Sequence, residues 1–248
     1  MDRSMKSCVF TGPSLDRKQV PTGVDCYGPA AMGSVYRAVE AGYLRIGIID
    51  GLFGDVPSVW HKEILYAMSA GVEVAGAASM GALRAAELST FGMVGIGSIY
   101  RLFRSGHWTD DDEVAVMHAT GYLAFRPLTE AMCNIRFTLR RLRRLGMIGR
   151  PLEKSLVAGM KAKHFCERTA EELSHLIEDA VGAAVADRIA QAFAREYVDV
   201  KAHDANALLA YMTQPAASTR RPHCWQFPAT VHWRRQFERD LAEVPPLS

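Results

Sequence analysis

The sequence predicts an α/β protein: a mainly parallel sheet with flanking helices in the N-terminal half, followed by a mostly α-helical C-terminal half. Two observations predict this class. Over residues 7–90, short apolar runs that end at turn residues alternate with helical segments, and that alternation is typical of βαβ units. From Asn134 onward, apolar residues recur mostly at helical spacing, as in residues 171–177 and 185–197.

The predicted strands and helices alternate from the first residues. Residues 7–10 predict a short strand ended by Gly12-Pro13-Ser14, and a loop rich in proline and glycine leads to a helix over residues 34–41. Residues 45–51 predict a buried strand that ends in an Asp-Gly turn, and residues 72–75 repeat the pattern.

One helix is predicted between the last two strands. Pro57 suits its first turn, and Gly71 suits the position just after its last residue. Its apolar face consists of Trp60, Ile64, Ala67 and Met68. A helix of this kind would pack on the sheet through that face.

The chain is predicted to contain three parts. Residues 1–149 form the α/β core, residues 150–214 form a helical region, and the proline-containing residues 215–248 form an irregular tail. Because 49% of the 248 residues are hydrophobic, the chain can build a core without crosslinks.

Composition excludes several classes of partner. The formal charge of +2 gives no field that would select nucleic acid or a membrane surface, and no run approaches the roughly 18 apolar residues of a membrane span. The five cysteines are widely spaced and never form a C-x-x-C pair. A reduced, cytoplasmic setting without a metal site is therefore expected.

Residues 72–88 are the segment most suited to chemistry, because they predict a strand, a tight turn of small residues and a helix. Ser79 at the turn would project its hydroxyl over the sheet edge, where the N–H groups of Met80 and Gly81 could stabilise an oxyanion. Ala77 stands where the G-x-S-x-G pattern has its first glycine. The alternative is that Ser79 only caps the helix.

Two candidate bases for this serine, His61 and Lys62, lie on the preceding helix. Lys62 could accept a proton if burial kept it neutral, but on a helical wheel it faces away from Trp60 and Ile64. A solvated lysine therefore remains an alternative. His61 lies nearer the apolar face, where it could equally be a structural histidine.

Other charged residues allow two interpretations each. Asp50 ends a strand, where it could serve a site or cap a turn. Arg84 and Glu87 are three residues apart and predict an ion pair. A basic stripe at helical spacing comprises Arg136, Arg140, Arg143 and Arg144. The stripe could meet an acidic partner or be a solvated face, and the acidic run at residues 110–113 could dock a partner, start a helix or be a loop.

Several segments together resemble the TfuA family. They are VFTGPSL at 9–15, PAAMGSVYRA at 29–38, IGIIDG at 46–51, VWHKEIL at 59–65, GAASMGALRAAEL at 76–88, FGMVG at 91–95, DDDEVAV at 110–116 and EAMCNIR at 130–136. The resemblance covers roughly residues 8–150. One departure is Met32, which stands where relatives often carry a polar residue.

The resemblance implies an accessory partner of a YcaO-type cyclodehydratase or thioamide synthetase, which uses ATP to activate a peptide amide for replacement of its oxygen by sulfur. It further implies release of sulfide from the C-terminal thiocarboxylate of a ThiS-like ubiquitin-fold sulfur carrier by a Ser-Lys pair, with the substrate peptide as a further partner. We assign Ser79 and Lys62 to that pair. Ser14 is a second candidate, as nucleophile or as a group that binds the carrier tail.

Binding contacts are expected from the residues around these segments. They are Gly12, Ser14, Asp50, His61, Met80, Gly81 and Arg84. No cofactor is expected on this chain, because Ala82-Leu83 replaces the Lys-Ser/Thr pair of a phosphate loop; ATP and magnesium would belong to the YcaO enzyme.

Three other functions compete with a sulfur-releasing hydrolase. A non-catalytic adaptor would only present peptide to YcaO, and a general serine hydrolase would act on small esters without a carrier protein. A nucleotide-binding enzyme is disfavoured, because Gly92, Gly95 and Gly97 do not follow a clear strand and no acidic ribose partner is evident.

Overall fold

The structure, a computed structural model, describes residues 6–52, 54, 56–215 and 225–238. It divides into two compact units, the first made of Met1–His107 with His203–Ser248 and the second of Trp108–Ala202. The boundaries of these units differ from those of the three parts expected from the sequence. The three-part division stays a prediction.

A parallel sheet forms the centre of the first unit. Its strands in the described residues are β1 (Ser7–Phe10), β2 (Val24–Tyr27), β3 (Arg45–Ile48), β4 (Glu73–Gly76) and β5 (Val94–Gly95). Their order across the sheet is β2-β1-β3-β4-β5, and each neighbouring pair is parallel. Phe10 lies opposite Ile48, and Ile48 lies opposite Gly76. The segments that follow β1, β3 and β4 therefore leave the sheet at the same edge.

Helices cover both faces of this sheet. They are α1 (Ser34–Glu40), α2 (His61–Ser69), α3 (Met80–Leu88), α4 (Gly97–Arg104) and α9 (Val200–Met212). On one face, Ile46 and Ile48 pack in a buried cluster with Ile64 of α2. On the other face, Val9 packs in a second cluster with Leu208 of α9. The sheet is thus buried on both sides, as the continuous apolar runs of β1 and β3 predict.

The second unit is helical. It contains α5 (Met132–Arg144), α6 (Arg150–Ala162), α7 (Ala170–Val181) and α8 (Ala183–Arg195). Leu139, Leu156, Ile177 and Ile189 share its buried core. The predicted α/β class, with a helical region after the sheet, is confirmed.

Two strands of the sheet, β2 and β5, are not predicted from the sequence. The residues of β2 were expected to be loop, and β5 was missed among Gly92, Gly95 and Gly97. Strand β2 lies at the sheet edge and is only partly buried, so that it lacks the apolar run of a central strand. Strand β5 has two residues, which is too short to give a pattern.

Some predicted boundaries need correction. Strand β3 ends at Ile48 instead of residue 51. Helix α2 begins at His61, so Pro57 lies before the helix and not in its first turn. Gly71 does follow the helix end, with a φ of 81°, as expected of a glycine at that position.

Part of the segment predicted to be irregular is helical. Helix α10 (Val231–Trp233) continues into a π-helical turn, Arg234–Glu238. Trp233 and Phe237 are buried and pack with Tyr36 of α1, and burial of large aromatic rings outweighs the weak local propensity of this proline-containing region. Residues 216–224 and 239–248 of the predicted tail lie outside the described residues.

Within the ranges that the structure describes, no helix is long and apolar enough to cross a membrane.

Candidate functional site

Three of the predicted segments meet at the carboxyl edge of the sheet. The Ile49 N–H donates to the carbonyl of Phe10 at 2.9 Å, and the Ala77 N–H donates to the carbonyl of Ile48 at 3.1 Å. These bonds align residues 11–14, 49–51 and 77–81. Strand order reverses between β1 and β3, and ligands bind to open α/β sheets at such a switch point.

Asp50 holds the loop after β1. Its Oδ2 accepts the N–H groups of Gly12 at 2.8 Å and Ser14 at 3.0 Å, and its Oδ1 accepts the Ser14 hydroxyl at 2.6 Å. Only 1% of Asp50 is exposed. Backbone N–H groups that converge in this way could bind an anion, but the carboxylate already occupies them. The loop therefore fixes Ser14 beside a buried carboxylate.

Ser79 lies at a tight strand-to-helix turn, as the sequence predicts. Its N–H donates to the carbonyl of Ala77 at 2.8 Å, and Ala78 between them has a φ of 65°, which a residue with a side chain rarely adopts. Ser79 is the residue before α3, yet its side chain makes no capping hydrogen bond to that helix. The side-chain cap that the sequence leaves open is therefore not formed, and a role for the Ser79 hydroxyl in a site stays a prediction.

Close backbone approach explains the small residues of this turn. A Cβ on Gly81 would lie 1.8 Å from the carbonyl oxygen of Ile48, and one on Gly76 would lie 2.0 Å from the carbonyl oxygen of Gly81. The N–H of Gly81 donates to the carbonyl of Ile49 at 3.2 Å. In this structure that donor is therefore engaged, although the sequence assigns it to an oxyanion site.

Lys62 points toward the C-terminal segment. Its Nζ donates to the hydroxyl of Thr230 at 2.8 Å and lies 5.8 Å from the ring centroid of Phe227. Ser79 is not among the contacts of Lys62 with the residues that the structure describes. The structure thus brings Ser79 and Ser14 to one sheet edge but does not join Ser79 and Lys62 by a hydrogen bond.

The predicted pair of Arg84 and Glu87 forms and includes His61. The Arg84 Nη1 lies 2.8 Å from Glu87 Oε2, and the His61 Nε2 lies 2.7 Å from the same oxygen. Burial alone would raise the pKa of Glu87, but hydrogen bonds from His61 and Arg84 outweigh it and lower that pKa. The His61 side chain is 47% exposed, so its expected place near the apolar face is wrong. His61 is the first residue of α2, whereas the helical wheel that places it near the apolar face starts the helix at an earlier residue.

Glu63 is a buried carboxylate that the sequence analysis missed. It is fully buried, and it accepts the N–H groups of Trp60 at 3.1 Å and Tyr36 at 3.4 Å. Burial raises the pKa of Glu63, although these backbone bonds act to lower it. The carboxylate ties the starts of α1 and α2 together. A glutamate at the third helical position is the signal that could have indicated it.

Charges of the second unit pair within it, and one arginine of the basic stripe pairs with the acidic run. Arg136 makes two hydrogen bonds to Glu113, at 2.8 and 2.9 Å, and Lys161 contacts Asp110 at 3.1 Å. Arg143 instead pairs with Glu153 of α6 at 2.5 Å. Arg140 and Arg144 are exposed. The acidic run is therefore a packed 3-10 turn (Asp111–Glu113).

The described residues contain no group of three His, Cys, Asp or Glu side chains that could hold a metal ion. The side chains that converge at the sheet edge are instead two serines and one carboxylate. These groups suit nucleophilic or hydrogen-bonding roles.

The parallel sheet is covered on both faces and carries two serines at its carboxyl edge. These features define the class: an α/β protein whose candidate site lies at that edge. Residues 50–169 match the family model described as TfuA-like protein. That range, which includes Asp50, Lys62 and Ser79, is therefore TfuA-like. The TfuA-like family is associated with YcaO-dependent thioamidation. No curated protein matched the chain in sequence.

Proposed function

We propose that this protein is an accessory factor for YcaO-dependent thioamidation of a peptide backbone and that it hydrolyses the C-terminal thiocarboxylate of a ThiS-like sulfur carrier. The observation that carries this proposal is the position of Ser79, directly after the strained Ala78 in a turn on the carboxyl edge of the sheet and directly before helix α3. The substrate peptide is a further partner, engaged together with the YcaO enzyme.

In the proposed reaction, the Ser79 oxygen attacks the thiocarboxylate carbon, and a base takes the hydroxyl proton. The C–S bond then breaks and sulfide leaves with its electron pair. Water hydrolyses the resulting ester, which frees the carrier as a carboxylate and restores the hydroxyl. The sulfide attacks the carbon of the amide whose oxygen the YcaO enzyme has phosphorylated, and phosphate leaves to give the thioamide. The small residues 76–78 suit the close approach of a glycine-ended carrier tail.

Two bases are candidates for this step. Lys62 is the proposed partner of Ser79, and pairing requires its Nζ to leave the Thr230 hydroxyl. Asp50 is the alternative base, with Ser14 as nucleophile, because the Ser14 hydroxyl already donates to that carboxylate at 2.6 Å. Substitution of each serine separates the two arrangements.

A second candidate function is a non-catalytic adaptor that presents peptide to YcaO. The contact of Lys62 with Thr230 supports it, since that lysine is engaged away from the serine. An adaptor predicts that thioamidation survives replacement of either serine.

The test is sulfide release from a thiocarboxylated ThiS-like carrier. We expect Ser79→Ala and Lys62→Ala to slow release by at least about 100-fold, the usual contribution of a nucleophile or its base, with folding checked by circular dichroism. Ser69→Ala and Lys154→Ala, at exposed positions, are the matched controls and should retain full activity.

Other outcomes are equally informative. Loss of activity in Ser14→Ala but not in Ser79→Ala would move the nucleophile to the loop after β1. If the wild-type protein releases no more sulfide than buffer and still increases peptide binding by YcaO, the hydrolase proposal fails and the adaptor replaces it.

A further inference from the structure

A loop of the second unit presents large apolar side chains to solvent. This tip loop consists of residues 117–128. Tyr122 at its end is fully exposed, and Leu123 beside it is 67% exposed. Adjacent exposed large apolar residues of this kind mark interaction sites more often than isolated ones do.

Backbone hydrogen bonds nevertheless link the two sides of the tip loop. At its base, the Leu128 N–H donates to the carbonyl of Met117 at 2.8 Å, and His118 and Pro127 form an antiparallel bridge. The Ala119 N–H donates to the carbonyl of Arg126 at 2.8 Å. Such a loop loses little conformational entropy when a partner binds it.

Two consecutive residues of the tip loop are strained. Ala124 and Phe125 have φ values of 51° and 54°, a region that residues other than glycine rarely occupy. The ring of Phe125 packs edge-on against His118, with 5.7 Å between centroids. Strain of this kind persists where the surrounding structure imposes it, and it is concentrated at functional sites. Here it turns the chain so that Tyr122 and Leu123 face outward.

Charge indicates the chemistry of the partner. Residues 114–129 contain one arginine, one histidine and no acidic residue. Arg126 is exposed, and no ion pair joins it to another residue in the described part of the chain. The complementary surface would therefore be an apolar pocket with carboxylates at its rim.

The same charges argue against a second copy of this protein as the partner that binds the tip loop. A groove of about 490 Å³ on the second unit is lined by Met147, Val185, Arg188 and Arg195, among others. Its lining mixes apolar and polar side chains, and its arginines would face Arg126 of the incoming loop. Like charges placed together at an interface disfavour that pairing.

We propose that Tyr122 and Leu123 anchor this protein in an apolar, acid-rimmed pocket of its YcaO partner, an inference that depends on the proposed function. Tyrosine at a rigid tip is a common anchor, because it buries a large surface and loses few rotamers. Arg126 adds attraction at the rim of the contact.

The test is titration of a purified YcaO protein with this protein by isothermal calorimetry. We expect the double variant Tyr122→Ser, Leu123→Ser to bind at least about tenfold more weakly, as loss of an anchor does. Arg126→Glu should weaken binding chiefly at low salt, because rim charges are screened. Leu44→Ser is the control, since Leu44 is an exposed leucine of the first unit.

The outcomes separate this inference from the proposed function. Equal affinity of the wild type and the double variant overturns the anchor while the partnership stands. No binding by the wild type overturns both. Sedimentation tests for a dimer of this protein. If the wild type dimerises and the double variant does not, the tip loop binds a second copy, and the proposed YcaO partner is overturned.

Discussion

At the scale of single residues, Asp50 determines how the loop after β1 is held. Its two oxygens receive two backbone N–H groups and the hydroxyl of Ser14, and water has little access because the group is buried. Hydrogen bonds to a buried charge are among the stronger ones in proteins. One side chain therefore positions a candidate nucleophile and satisfies the donors of its loop.

Replacement of Asp50 should destabilise the first unit. Asp50→Ala leaves the N–H groups of Gly12 and Ser14 buried without an acceptor, and we expect a loss of about 2–4 kcal/mol in the free energy of unfolding. Urea denaturation followed by circular dichroism measures it. Asp50→Asn keeps one acceptor oxygen and should lose less.

The control for this prediction is Asp187→Ala, at an exposed position of α8, which should change stability by less than about 0.5 kcal/mol. Equal stability of Asp50→Ala and the wild type would show that the loop finds other acceptors and that Asp50 does not hold Ser14.

At the scale of elements, charges inside the second unit fasten its 3-10 turn to helix α6. Arg168 is 1% exposed and donates to the backbone carbonyls of Asp112 and Met160, and it pairs with the Asp112 carboxylate. Lys161 joins the same carboxylate. A buried guanidinium needs several acceptors at once, and this turn provides two of them.

The pairing of Asp112 predicts a pH dependence of stability. Burial alone would raise the pKa of Asp112, but hydrogen bonds from Lys161 and Arg168 outweigh it and lower the pKa. A carboxyl whose pKa is lower in the folded state adds stability above its ordinary value of about 3.9 and loses it as pH falls through the folded value. The second unit should therefore weaken below about pH 4.

Thermal unfolding of the wild type and Asp112→Asn between pH 7 and pH 2 checks this expectation. The variant should be roughly 1–3 kcal/mol less stable at pH 7, and the difference should shrink as the wild-type carboxyl becomes protonated. Parallel curves with a constant difference down to pH 2 would contradict the assigned role of this ion pair.

At the scale of the whole molecule, the chain returns to its first unit after residues 108–202. Helix α9 covers one sheet face, where Leu208 and Met212 are buried. The later segment places Trp233 and Phe237 against Tyr36 on α1. Distant parts of the chain thus complete one core.

Trp233 should therefore matter to the first unit although it lies near the end of the described chain. It is 2% exposed, and we expect Trp233→Ala to cost about 3–5 kcal/mol, as large-to-small changes of buried aromatics do. Urea denaturation measures the loss. Val231→Ser, at a neighbouring 67% exposed position, should have little effect. Equal stability of both variants would mean that the segment adds nothing to the fold.

Several features were predictable because their signals are local. The runs of β1 and β3, the helix after Gly33 and the tight turn at Ser79 each follow from adjacent residues. The pairing of Arg84 with Glu87 follows from helical spacing. Strand β2 has no comparable signal, because an edge strand need not be apolar.

The sequence by itself determined the α/β class, the helical second half and the place of Ser79 before a helix, since hydrophobic period and turn residues act over a few neighbours. Only the tertiary structure decided that Asp50 binds Ser14 and that Lys62 contacts Thr230, because those partners are 36 and 168 residues apart. Contacts at such separation depend on how strands order and helices pack, which no local pattern encodes.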